Sequence, residues 1–277
     1  MNKGASGPNR RLSLSGKDVY IYREVSSTNL VARSMAACGA DEGTVVIAGF
    51  QTAGTGRMQR PWICPAGSGI TMSMILKPDM DFASTPLLSL LCGVAIAETA
   101  AAFTQQPVGL KWPNDVLING KKACGILVQG GARKNVCSYA VVGIGLNVNQ
   151  DEGQFPDELM GYCTSLKLES GRRVSRIRVL ERFFGLWDMH YARFSESGHS
   201  YVRDIWIHNN VTLGRPVVLR DGLSGTPCHE GVAIDISERG GLMVRLPDGN
   251  IKEFLSEDLS LGSARHAAPH TGSKGTL

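Results

Sequence analysis

The segment Gln51-Thr52-Ala53-Gly54-Thr55-Gly56-Arg57-Met58-Gln59-Arg60-Pro61-Trp62 is the stretch richest in groups that could do chemistry. Gly54 and Gly56 let the backbone take φ > 0 and approach a ligand closely. Arg57 and Arg60, three residues apart, can meet an anion with planar forks of donors. Trp62 offers a face for stacking or packing. Such a loop could close over a phosphate or a carboxylate. The same residues would also make a surface loop with solvated arginines and a core tryptophan. It is not a Walker A loop, because no Gly-Lys-Ser/Thr follows. Nor is it a Rossmann fingerprint, because Gln59 stands where a third glycine is needed and no helix pattern follows.

A second group is Lys111-Trp112-Pro113-Asn114-Asp115, then Lys121-Lys122, then Gly125-Ile126-Leu127. A carboxylate at a strand exit, as at Asp115, can hold a cation, accept a proton or close a turn. Lys122 enters an apolar strand, where it either points into a pocket or stands on the solvent face. The third group is Gly143-Ile144-Gly145-Leu146-Asn147. Glycines inside a strand mark close approach by a ligand or by another part of the chain, or tight sheet packing.

These residues need elements to position them. KDVYIYREV (17–25) alternates and predicts a strand. Ser26-Ser27-Thr28-Asn29 supplies capping groups for a helix over 30–37, closed by Gly39. Strands are predicted over 43–50, 70–76, 108–111 and 139–147, with a hairpin on the Asn119-Gly120 turn. LLSLLCGVAIAETAAAF (87–103) is too short and too polar for a full membrane span and reads as a buried core helix. An amphipathic helix is predicted over 174–194 from Val174, Ile177, Leu180, Phe184, Trp187 and Tyr191. From about residue 213 short strands with Gly and Asp-Gly turns suggest a small barrel. Residues 1–16 and 263–277 read as disordered tails.

The chain has 277 residues, 43% hydrophobic and 19% charged, which suits a globular protein of one or two domains. The net charge of +4 does not call for a nucleic-acid partner. Seven cysteines without a CxxC pair point to reduced thiols and a cytoplasmic setting. The six histidines form no zinc-ligand spacing, so no metal ligand is assigned. Residues 1–16 carry positive charge with no apolar run behind it, unlike a signal peptide.

The order SSTN, QTAGTGR, KWPND, KKACGIL, GIGLN resembles the biotin protein ligases over residues 17–262. The β-rich end looks like that family's SH3-like C-terminal domain. The resemblance implies an α+β fold, a mixed sheet with helices on one side, related to class II aminoacyl-tRNA synthetases. It implies a catalytic domain over 17–210 and an SH3-like domain over 211–262. It implies that biotin and ATP, with Mg²⁺, give biotinyl-5′-AMP, which then acylates one lysine of a biotin carboxyl carrier domain. By the same resemblance Arg57, Lys122 and Asp115 are catalytic. Ser27, Thr28, Asn29, Gln51, Gly54, Leu127, Gly143 and Ile144 surround biotin, together with Arg57 and Lys122. Arg60, Trp62, Asn114 and Asn147 lie on the ATP side, again with Arg57 and Lys122.

The sequence departs from the family pattern at four positions. Thr55 replaces the first arginine of the loop and Gln59 its last glycine; Gln129 stands for a usual Glu and Cys64 for a usual Ser. A ligase for lipoate or octanoate, or a weakly catalytic biotin-binding protein, are the competing readings. Sixteen residues before the first strand are too few for a helix-turn-helix, so no specific DNA binding is expected. The acidic balance over 213–262 agrees with that. No membrane partner is expected, and a homodimer is a hypothesis from the family.

Overall fold

The computed structural model describes residues 7–220, 226–255 and 258–261. The tail expected over 263–277 lies outside them. The chain runs β1 (Arg10–Leu14), β2 (Lys17–Val25), α1 (Thr28–Ala37), β3 (Val45–Gln51), β4 (Ile70–Leu76), α2 (Pro86–Ala101), β5 (Val108–Lys111) and β6 (Asp115–Ile118). It continues through β7 (Lys121–Arg133), β8 (Val136–Leu146), α3 (Leu166–Ser170) and α4 (Arg176–His208). The strands form one mixed sheet of order β1-β2-β3-β4-β8-β7-β6-β5. Only β2 and β3 are parallel, joined by the α1 crossover.

The expected N-terminal tail is corrected in part. Residues 10–14 pair with β2 through a tight turn at Ser15 and Gly16, both at positive φ. RRLSL is too short and too polar to announce a strand alone; β2 supplies its ladder partner.

Both faces of the central strands are covered. ITMSMIL in β4 is buried at every residue. Ile70, Met72, Met74 and Leu76 join the large core with α2 and α4. Ile75, with Val46, Ala48 and Val141, packs under α1 through Ala32 and Ala36. The helices therefore lie on both faces, α2 and α4 on one and α1 on the other, not on one side as expected. Helix α2 is apolar all round because the sheet covers one side and α4 the other. By length and composition the stretch Phe82–Ala101 would pass as a membrane span, but most of it is buried inside the protein. The Asn119-Gly120 turn is present, with both residues at positive φ.

Helix α4 is longer than predicted, with one non-helical residue at Gly198. Ser175 caps it, accepting from the Arg178 N–H. Ile177, expected on the buried face, is 63% exposed, while Val179, Phe183 and His190 are buried.

Beyond α4 lie β9 (Pro216–Arg220), β10 (Pro227–Ile236), β11 (Leu242–Arg245), β12 (Ile251–Phe254) and β13 (Asp258–Leu261). They form an antiparallel sheet of order β12-β11-β10-β9-β13. Among the described residues its outer strands, β12 and β13, share no ladder. Arg203 of α4 grips Asp235 of β10 with two parallel hydrogen bonds of 2.9 and 2.8 Å.

The Arg203 hydrogen bond holds the Asp235 carboxyl below its ordinary value of 3.8. A depressed carboxylate stabilises the fold above that value and stops doing so as pH falls through its folded-state pKa. Arg203→Met should therefore lower stability at pH 7 by about 0.5–1 kcal/mol, since the pair is about one-third exposed. Urea unfolding should show the difference at neutral pH and its disappearance in acid well below 3.8.

Candidate active site

The α1 face of the sheet opens into a cleft of about 440 Å³ over β7 and β8. Its floor is made by residues without side chains. Gly125 pairs with Gly145 and Leu127 with Gly143 across the two strands. A Cβ on Gly143 would overlap the Asn29 side chain, and one on Gly145 would overlap the Trp62 indole. At Gly125 it would lie 3.2 Å from the Trp62 ring and 3.3 Å from Lys122 Cε. The glycines thus serve close approach by side chains from α1, the basic loop and β7.

One wall is a chain of short polar groups. Thr28 N–H and Oγ1 donate to Gln51 Oε1 at 2.7 and 3.1 Å. Buried Ser73 Oγ lies 2.7 Å from Thr28 Oγ1 and 2.6 Å from Asn29 Oδ1. Asn29 Nδ2 donates to Gln129 Oε1 at 3.0 Å. Ser27 holds the N-cap position of α1, but its hydroxyl makes no capping bond. The capping expectation is corrected: the first N–H of the helix is satisfied by Gln51 from β3. Ser73 was missed. Its signal was the polar alternation of Thr71 and Ser73 within ITMSMIL, both on the α1 face.

The opposite wall carries charge. Lys122 Nζ lies 2.6 Å from Asp115 Oδ1 and 5.9 Å from the Trp62 ring centroid. A bulge makes this possible. Val116 pairs with Cys124 and Leu117 with Lys122, so Ala123 is the extra residue of β7. In a regular strand Lys122 would share the core face of Cys124 and Ile126. The bulge turns it onto the face of Gly125 and Leu127. Asp115, opposite Gly125, is already on that face. Cys163 bridges to Lys122 through the backbone and lines the cleft. Burial raises its thiol above the ordinary value, Lys122 opposing and Asp115 reinforcing, so it is a neutral wall.

The basic loop is held at its neck. Trp62 N–H donates to Gly54 O and Gly56 N–H to Arg60 O, both at 2.8 Å. Between them Met58 and Gln59 take φ of 52° and 56°. Gln59, which stands where the resemblance implies a glycine, thus adopts the left-handed conformation that glycine favours. Arg57 and Arg60 line the cleft.

Thirteen predicted residues meet in this cleft: Ser27, Thr28, Asn29, Gln51, Arg57, Arg60, Trp62, Asn114, Asp115, Lys122, Leu127, Gly143 and Ile144. Two do not line it. Gly54 lies behind, where a Cβ would meet Gln51 Nε2 and Trp62 O, each at 2.8 Å. Asn147 is buried and braces the floor, donating to Thr164 O at 3.0 Å and accepting from Gln150 Nε2 at 2.9 Å. Asn114 Nδ2 donates to Ile126 O at 2.8 Å, so its amide also braces the sheet. Leu159 and Glu158 line the cleft without having been singled out; their tract has no periodicity that would mark it. Among the described residues no group of three or more His, Cys, Asp or Glu is placed to hold a metal ion.

The arrangement offers a desolvated floor, a polar ring and three cations against a lysine-paired carboxylate. It can hold an anion at the cations and a compact polar ligand at Thr28, Asn29 and Gln51.

Residues 20–147 match the Biotin/lipoate A/B protein ligase family, and residues 212–262 match the Biotin protein ligase C terminal domain. The chain is 39% identical over 243 residues to the bifunctional ligase/repressor BirA of Bacillus spizizenii, covering 87% of this chain and 74% of that one. It is 32% identical over 231 residues to the biotin--[acetyl-CoA-carboxylase] ligase of Mycobacterium tuberculosis, covering 82% of each. The biotin protein ligase from Aquifex aeolicus in complex with biotin and ATP has the same fold, with a TM-score of 0.69 at 29% identity. That match covers 88% of this chain and 98% of the other. By these matches the chain belongs to the biotin protein ligase family.

Proposed function

We propose that the protein activates biotin with ATP and transfers it to a lysine of a biotin carboxyl carrier domain. The observation that carries this is the convergence of Arg57, Arg60 and Lys122 on one cleft beside a polar ring. In the first step a biotin carboxylate oxygen attacks the α-phosphorus of ATP. The α–β phosphoanhydride bond breaks and pyrophosphate leaves. Two anions must meet, and Arg57 and Lys122 offset their repulsion in a partly desolvated site. Thr28, Asn29 and Gln51 suit the fixed donors and acceptors of the ureido ring.

In the second step the acceptor lysine arrives as an ammonium, with an ordinary pKa near ~10.4. Asp115 takes its proton. The free amine attacks the acyl carbonyl of biotinyl-5′-AMP, the amide forms, and AMP leaves. The cleft's carboxylates are Asp115 and Glu158, with Asp115 already paired to Lys122. These two carboxylates are a poor set for a bare divalent ion, whereas Arg57, Arg60 and Lys122 suit phosphate anions. Magnesium would therefore enter with ATP, its charge balanced mainly by phosphate oxygens and water.

The reading divides the chain into a catalytic unit over 17–210, extended by β1, and a C-terminal unit over 211–262 of SH3-like type. The Bacillus relative is named as ligase and repressor; only the ligase activity is taken here, with no DNA role. The seven unpaired thiols suit a reducing compartment such as the cytoplasm. A homodimer stays part of the proposal, and sedimentation equilibrium tests it.

ATP–pyrophosphate exchange should require biotin and should not run with lipoate or octanoate. Exchange with lipoate would overturn the substrate, and tight biotin binding without exchange would reduce the protein to a binder. Lys122→Ala should lower the biotin-dependent exchange rate by roughly 10²–10³-fold, the scale for removing one charge-stabilising donor. Gln59→Gly should relieve the left-handed strain and stabilise the fold by about 1 kcal/mol, read as a raised urea midpoint with unchanged slope.

A further inference from the structure

The turn that leads into the strand carrying Asp115 is gripped by the C-terminal part of the chain. Trp112 is 1% exposed. Its indole Nε1–H donates to Gly240 O at 3.0 Å, and its backbone N–H donates to Thr212 Oγ1 at 3.0 Å. Gly240 sits in the turn between β10 and β11, closed by Gly240 N–H to Ser237 O at 2.9 Å. A Cβ on Gly240 would stand 3.0 Å from Leu87 N, so this turn is wedged onto the start of α2. Residues 209–211 continue the grip. Leu110 N–H donates to Asn209 O at 2.7 Å, and Val211 N–H to Leu110 O at 2.9 Å. The segment entering the C-terminal sheet thus meets the outer edge of β5 through one isolated parallel bridge, Asn210 to Leu110.

Trp112 lies three residues before Asp115, and the bracing is continuous between them. Ser89 Oγ of α2 lies 3.3 Å from Pro113 O. Asn114 exchanges a backbone bond of 3.0 Å and a side-chain bond of 2.8 Å with Ile126. Every tie from Lys111 to Asn114 that reaches outside the catalytic sheet and α2 ends on Thr212 or Gly240 among the described bonds. Both belong to the stretch that matches the C-terminal domain.

We propose that Trp112 is a positioning residue through which the C-terminal sheet, by Gly240 O and Thr212 Oγ1, holds Asp115 in register with the incoming acceptor amine. The inference rests on the transfer reaction proposed above. It gives the C-terminal sheet a part in the second step without any contact with the reacting atoms. Lys122 keeps its own anchor through Tyr162 and Thr164, so the first step depends less on this grip.

Trp112→Phe removes the N–H and keeps an aromatic ring. Thr212→Val removes the hydroxyl at nearly constant size, and Thr212→Ser keeps it. Biotin-dependent exchange and transfer to a purified carrier domain are measured for full-length protein from about pH 7.5 to 9.5. Both of the first two variants should lose about tenfold in transfer kcat at the lower pH. At the upper pH, where more of the acceptor amine is already neutral, the loss should shrink to roughly twofold or less. Exchange should change by about twofold at most, and Thr212→Ser should behave as wild type. If Trp112→Phe does not melt cooperatively, Thr212→Val decides. Unchanged transfer, or a loss equal at both pH values and shared by exchange, overturns the inference. Failure of the wild type to exchange or transfer with biotin would instead sink the proposed function.

Discussion

Three glycines on one face of β7 and β8 decide what the cleft can hold. A strand buried on both sides normally presents side chains to both, and β4 does so throughout. At Gly125, Gly143 and Gly145 the α1 face is bare, and the freed space is taken by Asn29, Trp62 and the stem of Lys122. The same strands bury Ile126, Ile144 and Leu146 in the core with α2 and α4, while Ile126 and Ile144 also border the cleft. Rigid backing and an open front therefore come from one alternation, and the polar ring and the cations depend on it.

Much of this was legible before any coordinates. Glycines within an apolar strand, an arginine pair after two glycines, and a lysine entering an apolar run each carry local physical meaning. Their order along the chain carried the family resemblance. The elements from β2 to β8 followed from alternation, turn chemistry and one strongly apolar helix.

What escaped depends on distant partners. The bulge at Ala123 is a register shift between two strands, and no residue type in KKACGIL announces it. Strand β1 exists because β2 offers a ladder. Asn147, expected on the ATP side, does not line the cleft, and its amide bonds Thr164 and Gln150 behind the floor. The Gln59 conformation was hidden for another reason. Substitution of a glycine suggests an altered loop, whereas the neck bonds from Trp62 to Gly54 and from Gly56 to Arg60 hold the loop and force glutamine into glycine's conformation.

The bond from Thr28 N–H to Gln51 Oε1 joins two properties usually kept apart. Gln51 ends β3 and faces the cleft, yet it also terminates the amide ladder of α1. A ligand that recruits the Gln51 carbonyl takes it from the helix, and the first turn then loses its only described terminator. Occupancy of the cleft and fraying of α1 are in this sense one equilibrium.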